Sequence, residues 1–372
     1  MTLLSSPNNN PCIAYFVTSH GFGHAARAAA VMKALLSRNP NLRLIIFTQT
    51  PKLFFEDSLN NHFQYQRIQT DVGMIQENPT RENFEASITA LKEFREGFDD
   101  RCSTLARHLF QLNCNAVICD ISPLGLAVAQ KVQLPSILIE NFTWDWIYDN
   151  YQSKAMPALK PFSTFIGSIF TLANYRIQTE PVCKKVTADF RSLPVSRPIK
   201  TPAAKVRSRL KIPADHAMVV ITMGGVSIEY QFIEKLQKLS KIIFVIPGAA
   251  QCMVRRKGLI LLPVHSPYYH PDLIHASDAV IGKVGYSTLA EVYHAGVPFG
   301  YVKRPVFPES YSLSEFIEKE MVGIDIDEAD FYHGGWIESV PQLLKLGRIK
   351  RKVENGAVQI AGFMAQLFEF LS

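Results

Sequence analysis

The sequence lacks most of the signatures that assign a chain to a narrow class. It has no Cys-x-x-Cys pair, and its six cysteines (Cys12, Cys102, Cys114, Cys119, Cys183 and Cys252) are scattered. Free thiols in a reducing compartment are therefore expected, not a disulfide framework or a zinc knuckle. No apolar run approaches the ~18 residues a membrane-spanning helix needs. The opening MTLLSSPNNNPC has neither a basic n-region nor an apolar h-region, so no secretory signal is expected. Charged residues make up only 19% of the 372 positions and the net charge is a mild +6. Basic residues are dispersed without a helix-turn-helix, RRM or zinc-finger pattern, which argues against nucleic acid as a partner. The mild positive charge suits an anionic small ligand or loose attraction to an anionic membrane. A cytoplasmic location is expected, with peripheral contact to the inner face of the membrane left open.

What is present is a globular composition, 47% hydrophobic, in a chain long enough for two domains. Short apolar, β-branched runs begin at Cys12, Leu42, Ala116 and Ser136. They read as buried parallel strands, with helical stretches over 25–38, 82–112 and 124–133 between them. Alternation of this kind predicts a doubly wound α/β domain. Residues 193–213 hold four prolines and many basic residues and read as a linker. Alternation then restarts, with strands from Ala217, Lys241, Gly258, Asp278 and Pro298 and helices over 227–240, 288–295, 313–321 and 336–346. The expected organisation is an N-terminal Rossmann-like domain over 1–192, a linker over 193–213, a second Rossmann-like domain over 214–355, and a C-terminal helix within 356–372 that packs back on the first domain. Two such sheets facing each other make a cleft at the carboxyl ends of their strands. The apolar stretch 156–175 reads as a helix pair covering the first sheet, or as a surface for a lipid or apolar acceptor.

Several residues in this pattern carry chemistry. TSHGFGHAARAA places Gly21, Phe22 and Gly23 between His20 and His24, after a strand and before a helix expected from Ala25. Glycine lets a ligand approach the backbone. An imidazole at a helix N-terminus stays neutral and can accept a proton. The plainer account of His24 is capping or packing. Asp120, at the end of another strand, either pairs with a loop histidine on the same rim or caps the next helix. Asn141, Trp144 and Asp145 follow the next strand. They suit an aromatic and polar platform for a sugar or acceptor, or an ordinary helix start. Gly224 and Gly225 expose backbone N–H groups at an expected helix start, a phosphate site in principle, although no GxxxxGK[ST] loop is present. In AVIGKVGYSTLAEVYHAGVP, the backbone near Gly285 with Ser287 and Thr288 can face a diphosphate. Lys283 would neutralise its charge and Glu291 would accept from ribose hydroxyls. The competing account makes Thr288 and Glu291 a capping box. Glu309, expected on a loop past a later strand, can hold sugar hydroxyls.

This last stretch resembles the donor-binding motif of the GT-B glycosyltransferases, among them plant-type UDP-glycosyltransferases and MurG-like bacterial N-acetylglucosaminyltransferases. Gly285, Ser287, Thr288, Glu291 and the AGVP of 295–298 fall where that group has its glycine, small polar pair, ribose-binding glutamate and GVP. Lys283 stands where the plant-type enzymes have a phosphate-binding histidine. Glu309 fits the acidic position of the sugar-binding segment, and Ser310 replaces the glutamine that follows it. The GFGH turn puts His24 at the base position and Asp120 at that of its partner. VTSHGFGHAAR with NFTWDWIY is also similar to uncharacterised bacterial glycosyltransferases and to the N-terminal half of plant L-arabinokinases. The kinase half of those proteins has no counterpart in these 372 residues.

The resemblance implies an α/β GT-B fold of two Rossmann-like domains facing across a cleft. It implies an inverting, metal-independent glycosyltransferase of hexosyltransferase type, using a nucleotide-diphosphate sugar, UDP-linked by expectation, as substrate and no cofactor. His24 would be the base, Asp120 its partner and His20 an accessory group. No DxD-type metal site is needed, because Gly225, Gly285 and Lys283 supply the charge. Backbone near His265 and Ser266 would flank the nucleotide base. Donor sugar and acceptor stay open. A nucleotide-sugar 2-epimerase and a non-catalytic nucleotide-sugar binder are the alternatives on the same architecture.

Overall fold

The computed structural model describes residues 10–78, 81–151, 156–223 and 232–371. Apolar runs set the middle of each sheet. In the first half β1 (Cys12–Val17), β2 (Arg43–Thr48) and β3 (Gln64–Arg67) are followed by a small hairpin of β4 (Gln76–Asn78) and β5 (Arg81–Glu82). Then come β6 (Ala116–Asp120), β7 (Ser136–Glu140), β8 (Tyr175–Thr179) and β9 (Phe190–Ser192). Seven of these form one sheet in the order β3-β2-β1-β6-β7-β8-β9, parallel throughout. β1 lies inside it, between β2 and β6, and is buried over its whole length. The second half supplies β10 (Ala217–Thr222), β11 (Ile242–Ala250), β12 (Val254–Arg256), β13 (Leu259–Pro263), β14 (Ala279–Lys283), β15 (Phe299–Val302) and β16 (Gly323–Ile326). Their order is β12-β13-β11-β10-β14-β15-β16, parallel except for the edge strand β12. Both sheets reverse direction of winding beside their first strand, which opens a crevice at the carboxyl ends of β1 and β10.

Register carries the candidate site residues to those ends. Val17 at the end of β1 pairs with Asp120 at the end of β6, and the Thr18 amide donates to the Asp120 carbonyl at 3.2 Å. In the second sheet Thr222 pairs with Gly282, one residue before Lys283. A Cβ at Gly282 would lie 2.0 Å from the Thr222 carbonyl oxygen, so β10 and β14 approach this closely only with glycine there. Gly282→Ala is expected to lower stability by ~1–3 kcal/mol, the usual cost of overpacking. A lower apparent melting temperature would register it.

Several boundaries differ from the sequence expectation. The expected 82–112 helix is two helices, Phe84–Glu96 and Phe98–Gln111, broken at Gly97. Of the helix expected over 227–240, residues 227–231 lie outside the described residues, and within 232–240 only Ile233–Leu236 is helical. Residues 336–346 form a 3-10 turn, Gly335–Ser339, running into the helix Val340–Lys345. The helix Met156–Phe170 buries Leu159, Phe162, Ile166 and Ile169 against the helices Trp144–Asn150 and Pro123–Lys131. Its apolar character thus belongs to the core, not to a lipid-facing surface. Among the described residues no helix is long and apolar enough to cross a membrane.

The 193–213 stretch carries one short helix, Ala203–Arg209. The last long helix, Gly356–Leu367, packs on the helix Gly21–Arg38 of the first half. Ile360, Ala361 and Met364 are fully buried in one cluster with Ala28 and Leu35. Asn355 caps that helix through the Ala357 amide and bonds Ser196 as well. The chain therefore crosses between the halves twice.

Candidate active site

Two helix N-termini face each other across the crevice. The first is Gly21–Arg38. It begins four residues earlier than the sequence suggested, so GFGH is its first turn and not a preceding loop. Gly21 sits at φ +68°, a conformation that costs a side chain but not glycine. The second is Tyr286–Ala295, with Gly285 at the N-cap. Neither end has a side-chain cap, so first-turn N–H groups and the positive dipole ends are left for a ligand. A Cβ built on Gly23 would be 3.9 Å from Ser287 Oγ. A cleft between them is lined by the 20–24 turn and Arg27 on one side, and by Lys283, Gly285, Ser287, Thr288, Arg304 and Glu309 on the other.

His24 is 8% exposed and Asp120 not at all. Their Nδ1 and Oδ1 atoms are 2.9 Å apart. Burial alone would raise the Asp120 pKa, but the adjacent Arg27 guanidinium and the His24 ring hold it below the ordinary value. An ionised carboxylate only accepts, so Nδ1 carries a proton toward Asp120. The capping role for Asp120 does not apply, because Ser122 accepts from the Gly125 amide at that helix start. His20 stacks on Phe307 and meets the edge of Trp144. Among the described residues its ring nitrogens have no hydrogen-bond partner. Burial, then Arg304, His24 and Lys283, push its pKa well below the ordinary value, so it stands as a neutral imidazole. Phe22, on the rim, stacks on Phe54.

On the opposite wall the Lys283 ammonium has no hydrogen bond or ion pair among the described residues. Burial and then Arg304 depress its pKa to about 8, against the pull of Glu309 and Glu82. A desolvated cation without a counter-ion, beside an uncapped helix N-terminus, is a receptor for an anion. Glu309 opens the helix Glu309–Glu320 and is not on the loop. Its Oε1 accepts from Asn141 Nδ2 at 2.8 Å across the crevice, and Oε2 has no protein partner among the described residues. Ser310 does not face a ligand, since its Oγ accepts from the Arg304 amide. Arg304 itself, which carried no signal in the sequence, pairs with Glu82 at 2.6 Å from the other half.

Several expectations need correction. Trp144 is 0% exposed, with its indole N–H aimed at Asp71 Oδ2, and offers no stacking face to an acceptor. Asn141 is equally buried, between Arg27 and Glu309. Asp145 turns toward Gly167 of the helix Met156–Phe170, so the 141–145 stretch supports the site from behind. Thr288 and Glu291 form no capping box, because the helix starts at Tyr286. Thr288 lines the cleft, whereas Glu291 is 4% exposed. Its oxygens are held by Arg197 at 3.0 Å and His270 at 2.7 Å. Burial would raise its pKa, but these two partners hold it low. His265 is exposed, Ser266 half-buried, and neither lines this cleft. Gly224 and Gly225 lie outside the described residues.

Asp71 and Arg27 were missed. Burial raises the Asp71 carboxyl to about 7, and nothing in its local sequence announces that. Arg27 had a signal: with His24 at i−3 it shares one face of a helix otherwise lined with alanine.

Two parallel-dominated α/β lobes with the ligand crevice between the carboxyl ends of their strands are the GT-B fold. No family model matches the chain. Among solved structures it is similar to a UDP-glucosyltransferase from Polygonum tinctorium, with a TM-score of 0.66 and 11% identity over 98% of this chain and 100% of that one. It is also similar to MurG of Acinetobacter baumannii, with a TM-score of 0.55 and 14% identity over 96% and 100% of the two chains. In sequence it is 26% identical over 361 residues to the L-arabinokinase of Arabidopsis thaliana, covering 95% of this chain. It spans about a third, 34%, of that relative's length.

Proposed function

We propose that the chain is an inverting glycosyltransferase that moves a sugar from a nucleoside-diphosphate donor, UDP-linked, to an acceptor hydroxyl. One observation carries the reading. His24, backed by the buried Asp120, and the uncapped helix start beside Lys283 line opposite walls of one cleft. The UDP-glucosyltransferase likeness in fold supports the donor class.

In this reading the acceptor hydroxyl gives its proton to His24 Nε2 as its oxygen bonds to the anomeric carbon. The bond from that carbon to the diphosphate oxygen breaks on the opposite face, so the configuration inverts. Asp120 steadies the imidazolium. Lys283, the first-turn N–H groups after Gly285 and the hydroxyls of Ser287 and Thr288 take up the leaving charge. No metal is called for where a lysine and fixed dipoles face the diphosphate. Glu309 Oε2 accepts from sugar hydroxyls.

The ribose role of Glu291 requires the ribose to share a carboxylate already bonded to Arg197 and His270. Calorimetry with UDP, ADP, GDP and UMP tests the donor side. UDP is expected to bind at least about tenfold more tightly than the others, a margin of 1.4 kcal/mol. Absence of binding by every nucleotide diphosphate would remove the proposal.

A further inference from the structure

Behind the base lies a group that the transfer chemistry above does not use. Arg27 is 1% exposed, and each of its guanidinium nitrogens has a buried partner. Nε donates to Asp120 Oδ2 and Nη2 to Asp120 Oδ1, both at 2.8 Å, a two-pronged grip on the carboxylate. Nη1 donates to Asn141 Oδ1 at 2.5 Å and Thr179 Oγ1 at 3.3 Å. The Asn141 amide in turn donates to Glu309 across the crevice. The guanidinium also lies 4.8 Å over the ring of Tyr286, the first residue of the helix that faces the expected diphosphate. One side chain thus touches the partner of the base, the support of the sugar-binding carboxylate and the start of the anion-binding helix.

We infer that Arg27 is a positioning residue that fixes Asp120 against His24 and, by sharing the Asp120 charge, weakens the pull of that carboxylate on a proton at His24. A bare carboxylate buried against an imidazole favours the imidazolium strongly. A base that is already protonated cannot accept the acceptor's proton. The guanidinium, 3.1 Å from His24 Nδ1 at its nearest nitrogen, opposes that protonation twice. It offsets Asp120, and it repels the charged ring directly. The other ionisable groups facing His24 are His20 before its helix, Lys283 from β14, and Arg304 and Glu309 beyond β15. Asp71 stands behind Trp144, and Phe142 packs its ring edge-on against the imidazole. None of them bonds both oxygens of Asp120.

The inference rests on His24 being the base, but its test needs no turnover. The His24 ring is titrated by NMR in the full chain and in Arg27→Lys and Arg27→Gln. Lysine keeps the charge and loses the two-pronged grip. Glutamine loses the charge and keeps one donor. The expected order of His24 pKa is wild type, then Lys, then Gln, with the Gln variant up by about one unit or more, the scale of one neighbouring charge. If Arg27→Gln does not fold, Arg27→Lys alone is expected to show a rise of about 0.3 units or more. The same His24 titration in a folded variant as in the wild type overturns the inference. With a working transfer assay, the acid limb of the kcat/KM profile should move to higher pH in the same order. A purely structural Arg27 would lower the rate without moving that limb. A protein that transfers no sugar but shows the shift would retain the Arg27 inference and lose only the functional reading.

Discussion

His24→Ala is expected to reduce sugar transfer by ~10²–10⁴-fold, the usual contribution of a positioned general base, while UDP affinity changes less than about twofold. The separation follows from the geometry. His24 is on the first lobe, bonded to Asp120, and the anion-binding elements Lys283, Ser287 and Thr288 are on the second. The substitution removes a ring of 8% exposure that contacts Phe142 edge-on, so the fold should survive. Steady-state rates with a UDP-sugar, set beside calorimetric UDP binding, check it. A rate within a factor of a few of wild type would take the base role away from His24 and leave His20 as the remaining imidazole in the cleft. Loss of both rate and UDP affinity would mean that the first helix holds the nucleotide, contrary to the division of labour proposed above.

Lys283→Met should move stability and affinity in opposite directions. In the unliganded protein the lysine ammonium is desolvated, with a pKa depressed from 10.5 to about 8. Its folded value lies below its unfolded one, so the unfolded chain holds more protons between those pH values. Native stability therefore rises as pH climbs from about 8 toward 10.5. Methionine has similar reach and no charge, and the substituted protein should melt at a higher temperature near neutral pH. Its affinity for UDP should fall by ~10–100-fold, the worth of one hydrogen bond to a charged group. In the wild type that affinity should also decline as pH rises above about 8, where free Lys283 loses its proton. The decline should be absent in the methionine variant. A variant that binds UDP as tightly as wild type would show that the diphosphate does not sit against this lysine.

The strands that could be read from sequence are those whose residues are apolar on both faces. β1, β2, β6, β7, β10, β11, β13, β14 and β15 are continuous runs of this kind, because helices cover both sides of the sheet. β3, with the sequence Gln64-Tyr65-Gln66-Arg67, is an edge strand with both ends exposed. It left no apolar trace, and neither did the short β9 and β12. Both helix starts at the cleft were placed too late, since glycines suggest loop. At Gly21 and Gly285 the first-turn N–H groups are free for a ligand, so glycine costs little there and admits the ligand closely. The pairing of His24 with Asp120 was legible from motif positions plus strand adjacency. The burial of Trp144 was not. It depends on Asp71, 73 positions away in the chain, and an aromatic residue beside acidic ones reads equally well as surface. The pairing of Glu291 was hidden for a similar reason, because its partners Arg197 and His270 come from the linker and from another helix.

The docking of Gly356–Leu367 onto Gly21–Arg38 bears on how this chain can be dissected. A clone ending near residue 192 would strip the helix Gly356–Leu367 from Gly21–Arg38, leaving a greasy stripe along the very helix whose start holds His24. Such a fragment should self-associate, and its failure to act would say nothing about the lobe's chemistry. A workable half would carry the helix Gly356–Leu367 grafted back, or supplied as a separate peptide.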